Sequence, residues 1–312
     1  MQVEILGTES LGVRGMCCAV NTRLYHIVID PGIALGFRRQ GLLPHPRQIA
    51  AGVAVSRRIA WHLSRATDVV FSHYHGDHIP LANANPYQLL LSEIAPLLAR
   101  PRLWGKSVED ESGQFAARAF DLASAAGQPI GHGPGRGLEG FEFSESMPHG
   151  ARDSGPGTVM MTRIEEDGEV FVHASDIQLL DGEPIGVILD WKPSLLILSG
   201  PPIYRALAAG QIDAARQRAV KLVREVPCCI IDHHLLRCRD GLTWLDRLQA
   251  EAKGVVQCAA DYMGIPRSLL EADRLMLYDF YPVPKGWHEG YQRVPLKYDT
   301  SENFHFQLGA GL

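Results

Sequence analysis

Four side chains of metal-binding type fall within one six-residue run, His73-Tyr74-His75-Gly76-Asp77-His78. Imidazole and carboxylate suit Zn²⁺, and also Fe²⁺ or Mn²⁺. His73 and His75 are two apart, which puts both on one side of extended backbone. Asp77 and His78 follow the turn at Gly76 and can reach a second position. Three later stretches carry more donors at expected strand ends or turns. They are His149 in Met147-Pro148-His149-Gly150, Asp176 in His173-Ala174-Ser175-Asp176, and His233-His234 after residues 228–232. Taken alone, each reads as a loop residue. Together they supply the ligands that two metal ions would still lack.

The elements that must place these donors are legible in outline. Residues 2–6, 15–21 and 24–30 read as a β-meander ended by Asp30-Pro31-Gly32. Residues 48–66 carry apolar positions at helical spacing, and 67–72 form a short buried-strand pattern leading into the histidine run. A helix is expected over 86–95, with Asn85 as N-cap and Pro86 at its first position. Another is expected over 109–126. The glycine-rich stretch 131–140 lacks the Lys-Ser/Thr and the strand–loop–helix setting of a phosphate loop, and reads as a surface loop. Strands over 158–164 and 169–173 flank the turn 165–168. A strand over 194–198, a helix over 203–223, a strand over 228–232 and a mostly helical 241–263 follow. No internal repeat is apparent. Strands interleaved with helices point to an α/β sandwich with mixed sheets.

The chain has 312 residues, 46% hydrophobic and 21% charged, with a net charge of −5. This composition excludes a disordered chain, a collagen and a coiled coil. The acidic balance and the lack of Lys/Arg runs disfavour a nucleic-acid partner. No secretory signal and no membrane span are expected. Cys17, Cys18, Cys228, Cys229, Cys238 and Cys258 show no CxxC spacing and read as buried reduced thiols of a cytoplasmic protein.

With its order and spacing of donors, the chain resembles metallo-β-lactamase-fold hydrolases. Leu6-Gly7-Thr8-Glu9-Ser10 and Ile29-Asp30-Pro31-Gly32 match that superfamily's opening hairpin. A closer likeness is to a subgroup common in archaea. It is carried by Glu9-Ser10-Leu11-Gly12-Val13-Arg14, Leu43-Pro44-His45-Pro46, Ser199-Gly200-Pro201-Pro202-Ile203-Tyr204 and Asp232-His233-His234-Leu235-Leu236-Arg237. The resemblance implies a four-layer αββα sandwich with two mixed β-sheets over residues 1–281, followed by an extension over 282–312. It implies one metal held by His73, His75 and His149, and a second held by Asp77, His78 and one histidine of the final pair. Asp176 would bridge both, and Asp30 would support the metal loop from behind. His233 is the favoured member of the pair, because it comes first after the strand and adjacent residues of a strand point oppositely.

Two divalent ions, zinc first and iron or manganese as alternatives, would bring a shared water near neutral pKa, and the resulting hydroxide would be the nucleophile. Asp77 could orient it or accept a proton. Tyr204 is a candidate proton donor to the leaving group. The expected reaction is hydrolysis of an ester, thioester, lactone, amide or phosphodiester bond of a small molecule. Arg14 and Arg237 are candidates for binding an anionic substrate, and His45 for lining the pocket entrance. Arg38-Arg39 reads as a solvated surface pair. An iron-dependent oxygenase or redox enzyme, a nuclease and a metal-bearing sensor or scaffold are the competing classes. The extension mixes Trp287, Tyr291, Arg293, Lys297 and Tyr298 with Glu289, Asp299 and Glu302, which suits a lid or a homodimer arm better than a nucleic-acid clamp.

Overall fold

Residues along each central strand alternate between two hydrophobic cores, and this alternation builds the molecule. The computed structural model describes residues 1–109, 111, 113–133, 138–152 and 157–297. One sheet runs in the spatial order β1 (Gln2–Gly7), β2 (Cys17–Asn21), β3 (His26–Ile29), β4 (Asp68–Phe71), β5 (Arg102–Gly105) and β6 (Gly131–His132). The other contains β7 (Phe141–Pro148), β8 (Thr158–Glu166), β9 (Glu169–His173), β10 (Leu195–Leu198), β11 (Cys228–Ile231) and β12 (Val255–Gln257), also neighbours in chain order. In each sheet the first three strands pair antiparallel and the rest pair parallel. The two halves therefore repeat one strand plan, although no sequence repeat links them.

Ile5, Cys18, Ile29 and Val70 of the first sheet face Phe143, Phe171, Ile197 and Ile230 of the second. Their neighbours Leu6, Cys17, Val28, Val69 and Phe71 point the other way. There they meet α1 (Pro46–Leu63), α2 (Leu91–Leu98) and α3 (Gly113–Ala126) through Ile59, Leu63, Ile94, Leu98 and Leu122. On the far face, Val172, Leu196, Leu198 and Ile231 pack against α4 (Glu183–Asp190), α5 (Ala209–Glu225) and α6 (Asp240–Gln249). Each fully buried Leu, Ile or Phe contributes about 1.5–3 kcal/mol of burial energy. This is the four-layer sandwich with two mixed sheets that the resemblance implied. Three short helices follow among the described residues: α7 (Ala259–Tyr262), α8 (Arg274–Phe280) and α9 (Trp287–Gly290). The cysteines are unpaired, and burial raises the thiols of Cys17 and Cys18. Among the described residues no helix is long and apolar enough to cross a membrane.

Several local expectations are corrected. Asn85 does not cap a helix at Pro86: its side chain takes the Tyr87 N–H at 2.9 Å, Leu81 pairs with Leu90, and α2 begins at Leu91. The asparagine thus makes a local turn that competes with the helix. The helix expected over 203–223 begins only at Ala209. The stretch 241–263 is mostly helical as expected, but not continuously, because β12 interrupts it and pairs with β11. Arg102–Gly105, Phe141–Pro148 and Glu183–Asp190 are elements the sequence reading passed over. The turn after β8 forms as expected, with Asp167 and Gly168 both at positive φ. Residues 134–137 of the glycine-rich stretch, and Tyr298, Asp299 and Glu302 of the extension, lie outside the described residues.

Residues 287–296, within the expected extension, pack back on the loop before α2 and on α2 itself. Tyr291 stacks on Tyr87 at 5.8 Å, the Tyr87 hydroxyl lies 3.1 Å from His288, and the Leu296 N–H reaches Glu93.

Candidate metal centre

His73 follows β4 of the first sheet, while His149, Asp176 and the His233-His234 pair follow β7, β9 and β11, which run in the same direction within the second sheet. Ligands gather at such carboxyl ends because the loops there can turn their side chains toward one another.

Two donor groups meet on Asp176. His73, His75, His149 and Asp176 place their donor atoms within 4.8 Å of one another. The His73 and His75 ring nitrogens are 2.9 Å apart, and His149 Nε2 and His73 Nε2 lie 3.0 and 3.6 Å from Asp176 Oδ2. Asp77, His78 and His233 form the second group. His78 Nε2 and His233 Nε2 lie 3.2 and 3.4 Å from the other oxygen, Asp176 Oδ1. His234 joins the cluster too, with Nε2 at 3.6 Å from Asp176 Oδ2 and its ring stacked on His149. The pair does not point in opposite directions. At His234 the backbone is already helical (φ −66°, ψ −34°), entering the turn Leu235–Arg237, so strand alternation no longer applies.

Buried carboxylates hold the loops from behind. Asp30 accepts from the Ser72 N–H at 2.8 Å, the Ser72 and Ser175 hydroxyls at 2.6 and 2.9 Å, and His78 Nδ1 at 2.9 Å. Burial alone would raise this carboxyl, but His78 and the hydroxyl donors hold it below the usual carboxylate range. Two residues on, a Cβ on Gly32 would stand 2.2 Å from the Ile79 amide nitrogen, so only glycine lets the two loops touch. Asp232 accepts from the Thr8 hydroxyl and the amides of Ser10 and Ala259, tying the end of β11 to the loop after β1. That tie brings Glu9 to the site, with one carboxylate oxygen 2.8 Å from His233 Nδ1 and the other 2.8 Å from Arg237 Nε.

The first group fits a divalent ion. Within it, both ring nitrogens of His149 are buried and have no hydrogen-bond partner, and the same holds for His78 Nε2, Asp176 Oδ1 and His234 Nδ1 around that ring. Leaving a buried polar atom unpaired costs about 1–3 kcal/mol, and a cation would relieve several at once. Burial and neighbouring imidazoles push His73 down, and push His75 down to about 4, which favours the neutral form a metal needs. The second group does not fit as it stands, because Arg237 Nη2 lies 2.6 Å from His233 Nε2 and 3.2 Å from Asp77 Oδ2.

The other sequence candidates fall at different distances from this cluster. The Tyr204 hydroxyl lies 3.3 Å from Arg237 Nη1 and so borders it. Arg14 is engaged by Glu271 at 2.6 and 2.5 Å. His45 is a helix cap: Nδ1 accepts the Arg47 N–H, Nε2 meets the Tyr281 carbonyl oxygen at 2.9 Å, and neither contact reaches the metal cluster. Arg38 is exposed as expected, but Arg39 is only 17% exposed and is held by Glu271 and the Arg237 carbonyl. The surface-pair reading fails for Arg39 because the loop folds it against α8's acidic neighbour. Sequence reasoning gave no role to Glu9, Phe115 or Arg118. Phe115 packs on the His75 ring at 5.1 Å, and Arg118 binds the Tyr74 carbonyl. An acidic residue just after an apolar strand was the one visible signal for Glu9.

Glu271 anchors this arginine group and gives a pH-dependent expectation. Burial would raise its carboxyl, but Arg14, with Arg237 and Arg274, brings it down from 4.5 to about 2. A carboxyl that is a stronger acid in the folded state stabilises fully above pH 4.5, and that stabilisation is lost as the pH falls toward 2. It amounts to about 3 kcal/mol. Urea unfolding at pH 7 and pH 3 should show Glu271→Gln destabilised at pH 7 and losing less than the wild type on acidification. Equal losses in both proteins would contradict this.

No family model matches the chain. It is 46% identical over 294 residues to a UPF0282 protein of Methanosarcina mazei, covering 94% of this chain and 97% of that one. It is 31% identical to a UPF0282 protein of Thermococcus onnurineus, covering 95% and 99%. In structure it is similar to the metallo-beta-lactamase fold protein YhfI from Bacillus subtilis, at 14% identity and a TM-score of 0.47, over 82% of this chain and 95% of that one.

Proposed function

Because this chain belongs to the UPF0282 family and gathers histidines and aspartates at one edge of a four-layer sandwich, we propose that it is a metal-dependent hydrolase of the metallo-β-lactamase type. Its substrate would be a small molecule with an ester, lactone, amide or phosphodiester bond. The observation that carries the reading is the convergence of His73, His75, His149 and Asp176, with His149 Nε2 buried and unbonded at its centre.

A divalent ion held there, zinc or else iron or manganese, supplies a Lewis acid for the substrate oxygen and an acidified water as nucleophile. The chain's own residues do the rest. Asp77 is held well below the carboxylate range against its burial by His78, His233 and Arg237, so it stays ionised. With Oδ2 facing Arg237 and His233, it would orient the nucleophile and take its proton from its place in the second donor group. Tyr204, whose hydroxyl lies next to the Arg237 guanidinium, would give a proton to the departing group. Phe115 packs against the His75 ring and would limit the access of water to it.

The test is turnover of ester, lactone, amide and phosphodiester substrates before chelation, after chelation and after metal return. Hydrolysis of at least one class, abolished by the chelator and restored by metal, is expected. Turnover indifferent to chelation, or none with any class in the metal-loaded protein, would overturn the proposal.

A further inference from the structure

We infer that the Arg237 guanidinium takes the place of a second metal ion, so that this centre holds one divalent cation. The inference rests on the hydrolase reading above and sharpens its metal site.

Arg237 is 6% exposed and all three of its nitrogens are engaged. Nε binds Glu9 Oε1 at 2.8 Å, Nη1 faces the Tyr204 hydroxyl, and Nη2 lies 3.2 Å from Asp77 Oδ2 and 2.6 Å from His233 Nε2. Asp77 and His233 are two of the three members of the second donor group. On the other side of the His233 ring, Glu9 Oε2 stands 2.8 Å from Nδ1. The charged carboxylate outcompetes the Gly15 N–H, 3.2 Å away, for that nitrogen, so Nδ1 carries the proton. Nε2 then holds the lone pair, and that lone pair accepts from Arg237 rather than facing an open position. In the first group neither ring nitrogen of His149 has a hydrogen-bond partner, whereas in the second only His78 Nε2 among the buried atoms lacks one.

A guanidinium does not deprotonate in a protein and cannot become a ligand. A second dication between Asp77 and His233 would meet a fixed positive charge at contact distance. Arg237 cannot swing away freely. It sits in the turn Leu235–Arg237, four residues after His233, and leaving would strand the buried Glu9 carboxylate. Its fixed charge lies where a second ion's charge would lie and steadies Asp77 in the same way.

The experiment counts zinc in protein stripped of metal, incubated with excess zinc and desalted, and looks for a zinc–zinc neighbour by X-ray absorption. The wild type should hold about one zinc per chain with no zinc–zinc signal. Arg237→Gln, and the charge-balanced double variant Glu9→Gln with Arg237→Gln, should hold about two, with a neighbour about 3.5–4 Å away. Two zincs in the wild type with a zinc–zinc signal would overturn this inference and leave the hydrolase reading standing. One zinc in the wild type and still one in folded variants would overturn it as well. No zinc in the wild type would overturn the hydrolase reading itself. Should neither variant fold, the wild-type absorption spectrum alone decides.

Discussion

Asp176→Ala is expected to empty the centre of metal and to abolish hydrolysis. Asp176 is 1% exposed, belongs to the first donor group and touches the second. Oδ2 meets His149, His73 and His234, while Oδ1 meets His78 and His233. Four imidazoles hold its carboxyl well below the usual carboxylate range against the pull of burial, so it is an anion that offsets cationic charge here. Alanine removes that anion and a ligand together. The loss of activity should exceed the roughly 10–100-fold cost of losing a partner behind the ligands. Circular dichroism should show the fold retained, since Asp176 follows β9 rather than supporting its core. A folded variant that keeps its metal and its turnover would contradict the assignment.

Asp30→Ala should produce the largest loss of stability near the site. Four donors converge on this carboxylate: the Ser72 amide, two serine hydroxyls and His78 Nδ1. Each buried donor left without an acceptor costs about 1–3 kcal/mol, and because they share one network the total falls short of the sum. A destabilisation of about 4 kcal/mol in urea unfolding is expected. Metal affinity should fall roughly 10–100-fold as well, because His78 loses the bond that fixes its ring. Asp30→Asn keeps one oxygen for the Ser72 amide, so it should recover much of the stability and little of the affinity. A change within about 1 kcal/mol for alanine would show that the loop is held by something else.

The run at residues 73–78 was legible because its donors are local, and a strand end is enough to bring them together. The strands that bury Val28, Val70, Val172 and Ile197 were legible from short apolar patterns for the same reason. What stayed hidden depends on distant pairing. Glu9 meets His233 across 224 positions and Arg237 across 228, and no spacing rule reaches that far. The His233-His234 pair misled because the reading assumed a strand where the chain had already begun to turn. Val255–Gln257 and Arg102–Gly105 are three- and four-residue strands, too short for periodicity to separate from their flanks. Asn85 and Pro86 carried a helix-start signal that the Asn85 side chain spends on a turn instead.

The central claim is that His73, His75, His149 and Asp176 assemble a metal site, and elemental analysis tests it most directly. The protein would be purified without a histidine tag and without added metal, beside Asp176→Ala prepared in the same way. The account predicts a divalent transition metal at about one or more per chain in the wild type and close to none in the variant. A wild-type protein that carries no metal, and takes none up after anaerobic reconstitution, would contradict it.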